Sequence, residues 1–206
     1  MSSARRVFIV GGANTPFIGK GHPDFIWKRH PDFGKKENPD LEALLKAAVK
    51  EWFADEASAK AKHGAIKDWD TSQVDDLSKL FYGKTTFNEA LDWDTSSVTS
   101  MTATFAYAEA FNSDLGWDTS KVTNMNRGFS GAGEFNQQLV WDTSSVTNMK
   151  YTFTGAEAFN APLVWDTSSV TTMINTFAYA EVFNSELAWD TSKVTDMMAT
   201  FWGAEA

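Results

Sequence analysis

The chain has 206 residues, of which 43% are hydrophobic, so it is long enough for one or two domains with a buried core. It contains no cysteine, which excludes a disulfide framework, a thiolate nucleophile and a cysteine-ligated metal. The net charge of −9 is uneven: residues 1–67 carry 12 Lys and Arg against 8 Asp and Glu, and residues 68–206 carry 6 against 19. The acidic part repels phosphates, so we expect no nucleic-acid partner.

Residues 1–37 form the first predicted segment, which we expect to be loosely ordered. Its apolar run at residues 7–10 is too short for a membrane span or a secretory signal. As written, the sequence therefore predicts a chain without a membrane span and a cytoplasmic localisation. The same stretch, VFIVGGANT, lacks the spaced third glycine of a dinucleotide-binding fingerprint, and no cofactor is expected.

Residues 5–45 resemble the N-terminal segment of thiolase-type acyl-CoA acyltransferases, mostly through the strand-like VFIVGG. The resemblance implies an acyltransferase-related fragment as an alternative function. Thiolase chemistry requires a nucleophilic cysteine, which this chain lacks. The segment is therefore expected to carry no catalytic residue.

Residues 38–67 are predicted to form a helical cap. Asn38 and Pro39 suit the start of a helix, and an apolar stripe follows at Leu41, Leu44, Leu45, Ala48 and Trp52. A second helix is expected from about Asp55 to Lys62, ending before Gly64. This pair is placed to cover the first unit of the repeats that follow.

Residues 68–206 contain six repeats, the last of them incomplete. The tetrapeptide Trp-Asp-Thr-Ser recurs every 24 residues, and a fixed period of this length is typical of solenoids. We call each unit a coil and number its positions from the tryptophan. Inward-facing Val, Met, Phe and Leu columns are expected to form the core together with a Trp column and an Asn column. The Trp column is Trp69, Trp93, Trp117, Trp141, Trp165 and Trp189, and the Asn column is Asn88, Asn112, Asn136, Asn160 and Asn184.

Each coil can be interpreted locally. Leu-x-Trp alternates apolar and variable residues, which predicts a short strand. In Asp-Thr-Ser the carboxylate can accept the backbone N–H two residues on, which predicts an Asx-turn. Met-x-x-Thr-Phe-x-x-Ala predicts one or two helical turns. Each Asn after the second Phe is expected to satisfy the backbone of its own turn and of neighbouring coils.

The Asp column also permits two other interpretations. Stacked carboxylates could bind calcium, although the Gly-rich loop of calcium-binding solenoids is absent. The adjacent Thr and Ser columns could form an ice-binding face, although they lie in a turn rather than on a flat strand. Turn capping is favoured over both, and no metal is expected.

The motifs W-D-x-S, V-T-x-M, a following Phe and F-N resemble the BspA-like leucine-rich-repeat family, in the short repeats named for mycoplasma lipoproteins. The resemblance covers residues 68–206. It implies an α/β right-handed solenoid with one short parallel strand per coil. It also implies a recognition role and a cell-surface or secreted protein.

The variable positions around Leu-x-Trp predict a contact surface on a non-enzymatic protein that binds a protein or a glycan. A structural surface protein and a truncated gene product are the alternatives. The candidate contact residues are Glu89, Asp92, Asp114, Gly116, Gln138, Val140, Ala161, Val164, Glu186 and Ala188.

The sequence stops inside the sixth coil, before its second Phe and its Asn. We therefore expect this coil to expose apolar side chains, including Met197, Phe201 and Trp202, and to promote self-association. Residues 102–125 and 174–197 lie 72 residues apart and are identical at 18 of 24 positions, which indicates duplication of a three-coil block.

Overall fold

The computed structural model describes residues 41–205. Helix α1 is Leu41–Ala54, helix α2 is Glu56–His63, and a 3-10 helix follows at Ile66–Asp68. From residue 69 onwards the chain is built of turns and extended segments. The thiolase-like segment 1–37 and the predicted Asn38 cap lie outside the described residues.

Helix α2 has the ends that its sequence predicts. Asp55 is the N-cap and accepts the Ser58 backbone N–H, which satisfies one of the helix's free donors. Gly64 follows the last residue with a φ of 79° and donates its N–H to the Lys60 carbonyl. The two helices are joined by Glu51 of α1, which binds Lys62 and His63 at 2.8 and 2.7 Å.

The helices cover the first coil with aromatic side chains. Trp52 packs edge-on against Trp69 with ring centroids 6.0 Å apart. Phe53 packs edge-on against Phe81 and Phe87. The buried side of α1 includes Val49 in addition to the predicted stripe, whereas Leu41 and Leu44 are only half-buried.

The coils lie on one another with a period of 24 residues, so that equivalent aromatic rings form three continuous stacks. Neighbouring tryptophans from Trp69 to Trp189 are 6.1–6.5 Å apart. The first-Phe stack runs from Phe81 to Phe201 with spacings of 5.3–5.6 Å. Within a coil the two Phe rings touch, as Phe105 and Phe111 do at 4.1 Å. These stacks, with the Val, Met and Leu columns, form one core along the repeats.

Backbone pairing between coils occurs at a different part of the coil from the one predicted. Parallel bridges join the eighth positions of successive coils, as at Asn124 and Asn148. The third coil then donates alternate N–H groups to the fourth, from Met125 to the Asn148 carbonyl and from Phe129 to the Thr152 carbonyl. Within the described residues these are isolated bridges, and no strand forms at Leu-x-Trp.

Side chains replace the backbone ladder at Leu-x-Trp. The indole N–H groups of Trp117, Trp141 and Trp165 donate to the Leu carbonyl of the neighbouring Leu-x-Trp segment, as Trp141 does to Leu115 at 3.0 Å. The Trp93 indole donates to the Ile66 carbonyl instead. Each Thr two residues later donates to the Asp carbonyl of the next coil, as Thr119 does to Asp142 at 2.9 Å. The predicted strand is absent because these side chains, rather than paired amides, hold neighbouring segments together.

The predicted helical turns are also absent, because the segment contains left-handed residues. Positions 11 and 15 of each coil have positive φ, for example Arg127 at 59° and Gly131 at 69°. Each is the third residue of a four-residue turn whose last N–H donates to the first carbonyl. In one such turn the Gly128 N–H donates to the Met125 carbonyl. A type II turn requires positive φ at that place, and a helix cannot continue through it.

The sixth coil is less buried than the others. Trp189 is half-buried, and Met197, Met198, Phe201 and Trp202 are 45–65% exposed. The buried indole nitrogen of Trp189 has no hydrogen-bond partner, unlike the equivalent nitrogen of Trp165. The predicted self-association through this coil stays a prediction.

Trp141→Ala should reduce the free energy of unfolding by about 3–5 kcal/mol, because it interrupts a buried stack and leaves the Leu115 carbonyl unpaired. Denaturant unfolding of the purified chain measures this. Lys121→Ala, on the exposed side of the neighbouring coil, is the control and should change the value by no more than ~0.5 kcal/mol. Equal unfolding curves for the Trp141 variant and the parent would contradict the stacked core.

Gly131→Ala should destabilise the chain more than Gly155→Ala. Both residues have similar positive φ, 69° and 65°, so Ala strains each backbone to a similar extent, by about 1–2 kcal/mol. A Cβ on Gly131 would also lie 2.7 Å from Tyr107 Cδ1, whereas a Cβ on Gly155 would meet nothing nearer than 3.9 Å. The extra loss at Gly131 should disappear in a Tyr107→Gly background. An equal loss at both glycines would show that the Tyr107 ring does not lie there.

Candidate functional site

The exposed side of Leu-x-Trp carries two columns of variable residues, at positions 22 and 24 of each coil. Position 24 holds the predicted residues Asp92, Gly116, Val140, Val164 and Ala188, all of which are exposed. Asp114, Gln138 and Glu186 at position 22 are also exposed. The alternation places Leu and Trp in the core and the residues between them in solvent.

Two of the predicted contact residues lie in a different column, and one of them, Ala161, is buried whereas Glu89 is exposed. Glu89 and Ala161 belong to position 21, one residue out of register with Asp114, and Ala161 is only 7% exposed. Position 21 faces the preceding coil, where Ser113 and Ser185 donate to the Asn carbonyls and side chains. The residues that belong to position 22 are Ala90 and Pro162, and both are exposed.

The most apolar part of this surface lies in the third and fourth coils. Val140 and Val164 are 84% and 90% exposed, and Pro162 lies between them in the sequence. Folding buries neither valine, so core packing does not explain them. Acidic side chains lie nearby. We call the surface formed by positions 22 and 24 and the adjoining Asp column the valine face. Its carboxylates are Asp92, Asp114, Asp118, Asp142, Asp166, Glu186 and Asp190.

The Asn column borders the valine face and fixes its backbone. The side-chain oxygen of Asn112 accepts the Asn136 backbone N–H at 2.9 Å, and that of Asn136 accepts the Asn160 N–H at 2.8 Å. The same bond joins Asn88 to Asn112 and Asn160 to Asn184. Each Asn thus connects two coils, which holds positions 21–24 at a constant spacing.

The Asp column forms the opposite border, and the predicted Asx-turns are confirmed. In every coil the Asp side chain accepts the Ser N–H two residues on, at 2.8–3.0 Å. Hydrogen bonds from the Ser hydroxyl and Ser N–H hold the pKa of Asp118, Asp142 and Asp166 below the ordinary value. In Asp142 the neighbouring carboxylates of Asp118 and Asp166 act in the other direction and partly offset this.

Sequence reasoning missed a second capping column at position 8. Asp76, Asn124, Asn148 and Asp196 accept the N–H two residues on through their side chains. Asp or Asn stands at four of the six equivalent places, and this was the available signal, since both residues favour such turns.

Across residues 41–205, no group of three or more His, Cys, Asp or Glu side chains is arranged to hold a metal ion. Over the same residues, neither helix has the length and apolar character needed to cross a bilayer.

Comparison with known proteins gives one family. The family described as "Mycoplasma protein of unknown function, DUF285" matches residues 47–140 and 139–206. The match therefore includes most of α1, all of α2 and every coil. No curated protein and no solved structure matches the chain.

The free energy of unfolding should decrease as the pH is lowered through the acid range. The pKa values of Asp118, Asp142, Asp166 and Asp190 are lower in the folded chain than the ordinary 3.8. Their stabilisation is therefore complete above that value and is lost as the pH falls through the lower folded values. Denaturant unfolding at a series of pH values from neutral to strongly acidic measures the loss.

The triple variant Ser120→Ala, Ser144→Ala, Ser168→Ala is the matched test of the cause. It removes the hydroxyl donors, so the carboxyl pKa values of the three partner Asp residues should rise in an NMR titration. The acid dependence of stability should weaken in parallel. Unchanged pKa values in this variant would show that the Ser hydroxyls do not bind these carboxylates.

Proposed function

We propose that this chain, which belongs to the DUF285 family of mycoplasma proteins of unknown function, is a non-enzymatic repeat protein that recognises a protein or a glycan. The valine face is its proposed contact surface. The observation that carries the proposal is the exposure of Val140 and Val164, at 84% and 90%, beside exposed carboxylates such as Asp142 and Asp166. A structural surface protein is the alternative, and it would leave this face without a partner.

We further infer that the coils form a right-handed solenoid related to leucine-rich repeats. Support comes from the constant 24-residue period, the single parallel bridge in each coil and the helical cap over the first coil. Repeat stacks of this kind use a regular interior to display an extended surface. The valine face is such a surface, because its backbone is fixed by the Asn and Asp columns.

Within each coil, the positions that hold the stack together differ from those on the exposed surface, and this supports recognition. The residues that recur in every complete coil make the core or the coil-to-coil hydrogen bonds, as Trp141 and Thr143 do. Positions 22 and 24 make no such bond through their side chains in the third and fourth coils. Their chemistry can therefore vary without affecting the stack, which is what a binding surface needs.

The chemistry of the valine face defines the partner it fits. Two adjacent valines offer a small apolar contact, and the carboxylates around them favour a partner with cationic groups at its rim. An acyltransferase-related role depends on residues 1–37, which lie outside the described residues, and the matched family has no assigned activity.

The test is a binding screen of the full chain against arrays of surface proteins and glycans, followed by Val140→Asp, Val164→Asp. Because both side chains are exposed, this double variant should unfold like the parent. It should reduce binding of any ligand found by about tenfold or more. Lys150→Ala, at position 10 of the fourth coil and outside the valine face, should leave that binding unchanged.

A screen that enriches no ligand would contradict the proposal. So would a ligand whose affinity is the same for the parent and the double valine variant. In the second case recognition would occur elsewhere on the chain, and the valine face would be an ordinary solvated surface.

A further inference from the structure

Charged side chains of opposite sign occupy different parts of the coil. Coils two to five, residues 93–188, carry ten carboxylates and three cations. Every carboxylate lies at position 2 or between positions 17 and 22, whereas Lys121, Arg127 and Lys150 lie between positions 5 and 11. Positions 5–16 of these four coils contain no Asp or Glu. Each coil therefore has an acidic part, which includes the valine face, and a part without carboxylates.

Arg127 lies at the surface of the part without carboxylates. It is exposed, and its guanidinium lies 4.5 Å from the centroid of the Tyr151 ring in the next coil. Tyr151 is itself half-buried, so this cation–π contact restricts the long arginine side chain before any partner binds. Among the described residues Arg127 forms no salt bridge. A guanidinium is always charged, so an acidic chain keeps this cation apart from its own carboxylates.

The acidic counterpart is the pair of carboxylates beside the two exposed valines. Asp142 and Asp166 are exposed, and each accepts the N–H of the Ser two residues on, at 3.0 and 2.9 Å, which fixes its orientation. They belong to neighbouring coils, so they are about 5 Å apart at the ~4.8 Å spacing of paired backbones. Like charges at this distance repel each other. Neither carboxylate forms a salt bridge within residues 41–205.

We propose that the partner of the valine face is a second copy of this chain, whose Arg127 and Tyr151 lie against Val140, Val164 and the carboxylates of Asp142 and Asp166. One guanidinium has enough donors for two carboxylates and offsets the repulsion between them. The arginine stem and the accessible part of the Tyr151 ring supply apolar surface for the valines. Arg and Tyr are the residue types that most often dominate protein interfaces.

This inference rests on the proposed recognition function and names the partner of the same surface. The two contacting surfaces are different parts of the coil, so the contact is heterologous rather than self-complementary. Each copy can use its valine face on one neighbour and its Arg127–Tyr151 pair on another. Association of this kind does not stop at a dimer, and it continues as an open array or closes into a ring.

The experiment is sedimentation velocity of the full chain at concentrations from micromolar to millimolar. The parent should form species larger than a dimer as its concentration rises. Arg127→Glu should weaken this association by about tenfold or more, because it places a carboxylate against the carboxylates of the valine face. Unchanged melting temperature and circular dichroism would show that the variant is folded.

Lys79→Glu is the matched control for charge. Lys79 is exposed and occupies the same position of the first coil with a similar φ, 60° against 59° for Arg127. The substitution changes the net charge equally, but the next coil presents Ala103 here rather than an aromatic ring. This variant should associate like the parent.

A mixing experiment tests the heterologous contact directly. Arg127→Glu keeps its valine face, and Asp142→Asn, Asp166→Asn keeps its Arg127–Tyr151 pair, with Asn retaining the Asx-turns. Each variant alone should stay largely monomeric. Their equimolar mixture should form a one-to-one complex and nothing larger, because only one productive contact is possible between them.

A parent that is monomeric at every concentration would overturn the inference, and the binding screen of the valine face would still decide the proposed function. Equal association by the parent and Arg127→Glu would overturn it too, and is the result expected if copies meet through the exposed sixth coil. Equal loss in Lys79→Glu and Arg127→Glu, or no complex in the mixture, would likewise contradict it.

Discussion

The 24-residue period brings every side chain against its own equivalent in the next coil, and the rest of the structure depends on that constraint. Aromatic rings benefit most, because parallel offset rings 5–6.5 Å apart are an attractive arrangement. Three such stacks run through the repeats and share contacts within each coil, as Phe105 does with Phe111 and Trp117. A single insertion would move all three stacks out of register at once.

Because of the same constraint, side chains make coil-to-coil hydrogen bonds that a continuous sheet would otherwise provide. The Trp indole, the Thr hydroxyl and the Asn amide each bond to a backbone group of a neighbouring coil. Buried polar groups need partners of this kind, and here the partners repeat with the sequence. Side chains that take no part in these bonds are left at the surface, and they include those of Val140 and Val164.

Much of the repeat could be predicted from the sequence, because its period, its aromatic columns and its Asx-turns are local or self-matching signals. The position of the backbone pairing could not be predicted from the sequence. Leu-x-Trp alternates like a strand, but its neighbouring segments are joined through Trp141 and its equivalents rather than through amides. The helical turns failed for another reason: Arg127 and Tyr151 adopt positive φ, which nothing in their residue types indicates. Glu89 and Ala161 belong to position 21 rather than position 22, and Ala161 is buried, which the residue type alone does not indicate.

The central claim is that residues 24 apart are direct neighbours on adjacent coils. Because the chain has no cysteine, a disulfide can test this without a competing thiol. Thr123 and Thr147 are exposed, and the Thr147 N–H binds the Thr123 carbonyl at 3.0 Å, which places their backbones within the range that a disulfide needs. Under mild oxidation, the double variant Thr123→Cys, Thr147→Cys should form an intramolecular disulfide almost completely and keep the parental circular dichroism spectrum. The pair Thr123→Cys, Thr171→Cys, two coils apart, should not. Failure of the first pair, or equal disulfide formation in both, would contradict the stacked arrangement.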